Sequence, residues 1–298
     1  MPSALVVSGK VASRQQAEQL AATLPPLLVA AERVASIVAQ GVHGRRRVGI
    51  GETFWQYRRY QPGDETTRVD WRQSARSSHV FIRENEWEAA ESVWLWCDGS
   101  PSMSYGSEMA PMNKAARASL LTLALAVLLI RGGEHIGLLG EDSRPVSGGA
   151  ALGQMVVRLD RQGGQGESLP PAEALPRHAQ VVLISDFLSP LDQIEGLIKH
   201  YVGSGVKGHV LQVNDPAEEA LPFAGRTRFE GMEGEGETLI GRPESLRDDY
   251  AARFAAHRDQ LSQMVRTAGW NFSAHHTDQP AQAALLSLYT AMSAQLRR

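Results

Sequence analysis

Lysine is scarce in this chain. Only Lys10, Lys114, Lys199 and Lys207 occur among 30 basic residues, so the other 26 are arginine. Cysteine is nearly absent. The single Cys97 excludes an internal disulfide and fits a reducing compartment. Long apolar runs are missing too. The longest, Leu120 to Ile130 with Thr122 inside it, falls far short of the ~20 residues a membrane-spanning helix needs and reads as a buried helix. Met1 to Lys10 has no basic region followed by an apolar stretch, so no signal peptide is expected. A phosphate-cradling Walker loop, a nucleophile elbow and a Ser/His/Asp order are all lacking. A net charge of −3 excludes a globally basic nucleic-acid packager, and 43% hydrophobic content excludes a disordered chain. These absences describe a soluble, cytoplasmic globular protein of 298 residues, in one large domain or two modest ones.

What is present is unevenly placed. Nine arginines fall between Arg45 and Arg83, and five of six tryptophans between Trp55 and Trp96. Upstream, helical spacing runs through Ala17, Leu20, Ala21 and Leu24, then through Leu27, Leu28, Ala31, Val34, Ala35 and Val38. Pro25-Pro26 separates the two helices. Gly41 to Gly51 reads as loop, and Gln61-Pro62-Gly63-Asp64 as a turn in a polar, aromatic and basic stretch over 54–78.

From Ser78 onward strands and helices alternate. Strands are expected at His79–Arg83, Ser92–Cys97, His135–Leu139, 180–186, 206–213 and 270–275. Helices are expected at about 111–131, 152–159, 191–202, 243–267 and 280–296, with a hairpin over 226–240 around Glu233-Gly234-Glu235-Gly236. Near-continuous apolar strands between helices predict a doubly wound α/β domain with a mostly parallel sheet. The organisation expected is N-terminal helices over 1–40, an Arg/Trp-rich segment over 41–90 and the α/β domain over 91–298. Ligands in such folds sit at the carboxyl ends of the strands, where both strand-ending aspartates, Asp98 and Asp186, would lie.

The turn after Trp94–Cys97 reads Asp98-Gly99-Ser100-Pro101-Ser102. One carboxylate and two hydroxyls at alternate positions make an oxygen-donor set for a hard cation. Asp186 would join from a second strand end, and Glu167 and Ser168 from the glycine-rich loop 162–168. The same pattern can also be a helix N-cap, with side-chain oxygens satisfying free helix N–H groups.

With these elements in this order, the sequence resembles the von Willebrand factor A fold and its metal-ion-dependent adhesion site. The resemblance implies that Asp98, Ser100, Ser102 and Asp186 hold Mg²⁺ or another divalent cation, directly or through water. One position would stay open for a partner's carboxylate. The family's threonine ligand is missing, and Gly163-Gly164-Gln165-Gly166-Glu167-Ser168-Leu169 stands in its place. Ser168 would supply a hydroxyl there, or Glu167 a charge.

A second resemblance rests on several spaced blocks. These are Gly44-Arg45-Arg46-Arg47, Gly49-Ile50-Gly51-Glu52 and Tyr57-Arg58-Arg59-Tyr60-Gln61-Pro62-Gly63-Asp64. Arg68-Val69-Asp70-Trp71-Arg72, Ser74-Ala75-Arg76, Arg83-Glu84 and the Asp98 motif follow. They resemble the bacterial family called domain of unknown function 58, itself similar to von Willebrand A domains. That family is usually encoded beside a MoxR-type AAA+ ATPase. The resemblance implies a non-enzymatic adaptor or substrate in ATPase-driven protein maturation. Many members carry two N-terminal membrane helices, and this chain resembles the short soluble version.

Residues 45–83 hold nine arginines against Glu52, Asp64, Glu65 and Asp70, which gives 9 − 4 = +5. Arginines close to acids and tryptophans are expected to pair internally. Arg45, Arg46 and Arg47 have no such neighbours and are the expected partner-binding patch. Two other functions compete. A metal-dependent phosphohydrolase would use Asp98 as nucleophile, but it wants an acid where Ser100 stands and a lysine late in the fold, where only Lys199 and Lys207 occur. A nucleic-acid binder would use the 45–83 arginines. Cys97 reads as a core thiol, and His275-His276 with Asp278 as a surface loop.

Overall fold

The computed structural model describes residues 26–42, 54–59, 71–77, 79–85, 92–142, 144–161 and 166–295. In chain order the strands are β1 (Phe54–Arg59), β2 (Phe81–Asn85), β3 (Ser92–Cys97), β4 (His135–Leu138), β5 (Gln180–Ser185), β6 (Lys207–Asn214), β7 (Thr227–Glu230), β8 (Glu237–Ile240) and β9 (Asn271–His276). The helices are α1 (Pro26–Val42), α2 (Trp71–Ser74), α3 (Lys114–Arg131), α4 (Gly149–Arg161), α5 (Leu191–Gly203), α6 (Pro216–Ala220), α7 (Arg247–Thr267) and α8 (Ala281–Gln295).

Strands β4-β3-β5-β6-β9 form one five-stranded sheet in which every pairing is parallel. Alternation along each strand divides its side chains between two cores. Val93, Leu95 and Cys97 face one way with Val182, Ile184, Leu211 and Val213, under α1, α3, α4 and α8. Trp94 and Trp96 face the other way with Val181, Leu183 and Val210, under α5 and α7. The fold is therefore a doubly wound α/β sandwich, as the apolar strand pattern predicts. Where β6 passes the residue before β9, the backbone comes unusually close to an indole. A Cβ on Gly208 would lie 1.9 Å from Trp270 Cδ2, so only glycine fits there.

Helix α1 shares this core. Leu28, Ala31, Val34, Ala35 and Val38 recur at helical spacing, are buried, and pack toward α3 and α8. Hairpin β7–β8 stands apart from the main sheet. No described helix is long and apolar enough to cross a membrane.

Three local expectations need correction. The stretch 54–59, described only as polar, aromatic and basic, is a strand paired antiparallel with β2, which itself begins two residues later than expected. The short helix α6 was not anticipated, although Asp215 caps it with a full capping box to Glu218. His275 lies in no surface loop: it is buried in β9, and burial and then the nearby Arg117 push its imidazole down to about 4. The expected helix over Ala17–Leu24 and the turn at Gln61–Asp64 lie outside the described residues.

Candidate cation site at the carboxyl edge of the sheet

In chain order the five sheet strands run second, first, third, fourth, fifth across the sheet. The order reverses between β3 and β5, and there the crossover connections leave toward opposite faces. Such a switch point opens a crevice beyond the carboxyl ends of the strands. Asp98 follows β3 and Asp186 follows β5, so both aspartates stand at its mouth. Parallel pairing continues past the strand ends, with the Asp98 N–H donating to the Ile184 carbonyl at 2.9 Å.

The turn after β3 folds on its own side chains. Asp98 Oδ1 accepts from the Ser100 N–H at 2.8 Å, and Asp98 Oδ2 from the Ser185 hydroxyl at 2.6 Å. Ser100 Oγ lies 3.1 Å from Ser102 Oγ, and Ser102 Oγ donates to Asp186 Oδ2 at 2.8 Å. Asp98, Ser100, Ser102 and Asp186 are thus joined in one network, and all but half-buried Ser102 are buried. The helix-cap alternative does not describe this turn. Ser100 precedes only a short 3₁₀ turn, Pro101–Ser104, and makes no side-chain cap bond, while α3 is capped by Asn113.

Glu167 and Ser168 are only partly delivered. The Gly166 N–H donates to the Gly99 carbonyl at 2.9 Å, which lays their loop along the Asp98 turn. A Cβ on Gly166 would meet the Gly99 backbone at 3.0 Å, so glycine permits the approach. Glu167 is nevertheless exposed, and among the described residues no hydrogen bond links Glu167 or Ser168 to the four-residue network. Arg45, Arg46 and Arg47 lie outside the described residues.

The structure adds groups that the sequence reading missed. Lys114, the first residue of α3, is fully buried. Its Nζ donates to Asp186 Oδ2 at 2.8 Å and to Glu218 Oε1 at 2.5 Å. Burial alone would lower its pKa, but the two carboxylates outweigh that and hold it raised and charged. The phosphohydrolase reading expects a lysine late in the fold, at Lys199 or Lys207, but the lysine beside these carboxylates is Lys114. Its signal was rarity, together with its place at the helix following the motif. Asp215 backs this corner by accepting from both the N–H and the hydroxyl of Ser107.

Asp98 has no such cation. Burial pushes its carboxyl up to about 6, with the Ser100 and Ser185 hydrogen bonds opposing the rise. Behind it, burial pushes the Cys97 thiol up to about 12, so it is an unreactive core group. Phe187, just past Asp186, holds a left-handed φ of 53° that costs a non-glycine residue strain. Its N–H donates to Ser185 Oγ at 2.9 Å and its carbonyl lies 2.8 Å from His257 Nε2.

The donor set suits a hard cation. Octahedral Mg²⁺ at ~2.1 Å from its ligands sets neighbouring oxygens roughly 3 Å apart. The 3.1 and 2.8 Å steps from Ser100 to Ser102 to Asp186 are hydrogen bonds, and they leave the oxygens close enough together to turn toward one such ion. No cluster of three or more His, Cys, Asp or Glu suited to a metal occurs among the described residues, so any cation held here would depend on hydroxyl as well as carboxylate oxygens.

The protein family described as "Protein of unknown function DUF58" matches residues 56–260. The chain belongs to the DUF58 family. The match spans β1 to most of α7, so every member of the oxygen network and Lys114 lie within the DUF58 region. Similar proteins include uncharacterized proteins of Mycobacterium tuberculosis (Rv1480) and Mycobacterium bovis (Mb1516). Each is 27% identical over 281 residues, covering 87% of this chain and 86% of the relative. Among solved structures, an aerotolerance-related membrane protein from Bacteroides fragilis aligns at 13% identity and TM-score 0.39. BatB from Bacteroides thetaiotaomicron aligns at 14% and 0.35. Each alignment covers 69% of this DUF58 chain and all of the other.

Proposed function

We propose that this DUF58 protein is a non-enzymatic, cation-dependent docking module with a von Willebrand A-like site. The observation that carries the reading is the single oxygen network joining Asp98, Ser100, Ser102 and Asp186 at the switch point of the sheet. Ser100, Ser102, Asp98 and Asp186 would hold Mg²⁺, with Ser168 or Glu167 as outer contributors. The ion would supply electrophilic attraction for one acidic side chain of a partner. Few anionic ligands around it keep that attraction strong. The partner class implied by the family resemblance is a MoxR-type AAA+ ATPase, met in the cytoplasm. Arg45, Arg46 and Arg47 would add a basic contact to it.

The phosphohydrolase alternative gains Lys114 but stays weaker. Lys114 bonds Asp186 rather than Asp98. Ser100 stands where the second acid belongs. Both Asp98 oxygens already accept hydrogen bonds, which lowers their nucleophilicity.

The test is capture of a MoxR-type AAA+ ATPase by the full chain in Mg²⁺ and in excess EDTA, with wild type and Asp98→Ala. Capture in Mg²⁺ alone, lost in Asp98→Ala, is expected. Equal capture in EDTA contradicts the metal role.

A further inference from the structure

Lys114 is placed against two general preferences. A buried ammonium is costly, and a positive charge at the first position of a helix opposes the helix dipole. The sequence offers four lysines, and this one alone among those in the described residues is fully buried. Its main-chain N–H donates to the Tyr105 carbonyl at 3.1 Å, which fixes where the side chain leaves the helix. The ammonium then reaches Asp186, Glu218 and the face of Tyr105, whose ring centre lies 5.8 Å away. The Asp186 oxygen it contacts is the one that accepts from Ser102. A cation held through Asp186 Oδ2 would share that oxygen with a fixed positive charge, and one held through Oδ1 would lie on the same carboxylate.

We propose that Lys114 is a built-in counter-cation that sets the network's affinity for a divalent ion low, so that lasting occupancy requires the carboxylate a partner brings. The inference rests on the cation-site reading above. A site with two aspartates and no lysine would keep its ion whether or not a partner were present. With Lys114 beside Asp186, one of those negative charges is already answered. The incoming ion meets a weaker field and a like charge, both of which oppose it. A partner carboxylate restores the missing negative charge. Ion and partner then bind cooperatively, each raising the affinity for the other.

The experiment is a titration of the full chain with Mn²⁺, following the free ion by electron paramagnetic resonance, with circular dichroism as the check on folding. Wild type is compared with Lys114→Gln, Lys114→Arg and the pair Lys114→Met/Glu218→Gln. The glutamine keeps a hydrogen-bond donor near Asp186 without charge. The arginine keeps the charge. The double variant removes both ends of one ion pair, leaves the total charge unchanged and gives a second chance of a folded protein. Removing the ammonium should tighten Mn²⁺ binding about tenfold or more in Lys114→Gln and by less in the double variant, which also loses the Glu218 charge, while Lys114→Arg stays near wild type. Tightening in Lys114→Arg as well would overturn the proposal, because packing rather than charge would then be responsible. Binding in wild type with no gain in the folded, uncharged variants overturns this inference alone. Mn²⁺ binding to none of the proteins overturns it together with the cation-site reading.

Discussion

Asp98 and Asp186 end neighbouring parallel strands, and each is 2% exposed, yet their surroundings differ in kind. Asp186 meets the Lys114 ammonium, the Ser102 hydroxyl and the Leu188 N–H. Asp98 meets only neutral donors, and burial raises it to about 6. Position in the fold delivers both carboxylates to the crevice, but only Asp186 has a cation beside it, brought from 72 residues away. One aspartate is the settled anchor of the site. The other is the group left wanting a positive charge.

The comparison is broken most severely by removing the lysine. Lys114→Met leaves Asp186 and Glu218 buried without their cation and should destabilise the fold by about 3–5 kcal/mol, measured by urea unfolding. Asp186→Asn should destabilise for the same reason.

Asp98→Asn should act in the opposite direction when no divalent ion is present. The folded pKa of Asp98, about 6, lies above its ordinary 3.8, so the folded state binds the extra proton. Stability therefore falls as pH rises from about 4 to 6, and the cost is complete above that range. Asparagine should recover on the order of 3 kcal/mol at neutral pH and flatten this part of the stability–pH curve. Two strand-end substitutions of equal sign would erase the distinction between the aspartates.

Gly166→Ala sharpens the comparison less directly. The added methyl would press on the Gly99 backbone and lift the Glu167–Ser168 loop from the Asp98 side of the site. A loss of about 1–2 kcal/mol is expected, together with weaker divalent-ion binding if the loop contributes to the site. Unchanged ion affinity would confine the site to Asp98, Ser100, Ser102 and Asp186.

The smallest effect concerns the N-terminal arginines. Replacing Arg45, Arg46 and Arg47 with Ala should leave thermal stability within about 0.5 kcal/mol and weaken partner capture in a salt-dependent way. An unchanged affinity removes them from the interface.

Much of the scaffold was legible. Val93 to Cys97 and Val181 to Ile184 are apolar on both faces, which only a sheet covered on both sides requires. The Asp-Ser-Ser turn was legible because its three residues lie close together in sequence, and Asp186 because strand-end residues converge at a switch point. What escaped depends on distant pairing. Strand β1 reads as polar and basic, and it becomes a strand only through β2, more than 20 residues later. Lys114 meets Glu218 across 104 residues, and no local pattern announces that contact. His275 looked like loop because its neighbours in sequence are mostly polar, and it is buried only where β9 joins the sheet beside β6.

The most direct measurement is a calorimetric titration of the full chain with Mg²⁺ near pH 7.5 and again near pH 5, alongside Asp98→Ala. The account predicts one ion bound at the higher pH, binding weakened about tenfold at the lower pH as Asp98 takes up its proton, and loss of binding in Asp98→Ala. No binding near pH 7.5, or binding indifferent to Asp98→Ala, would contradict it.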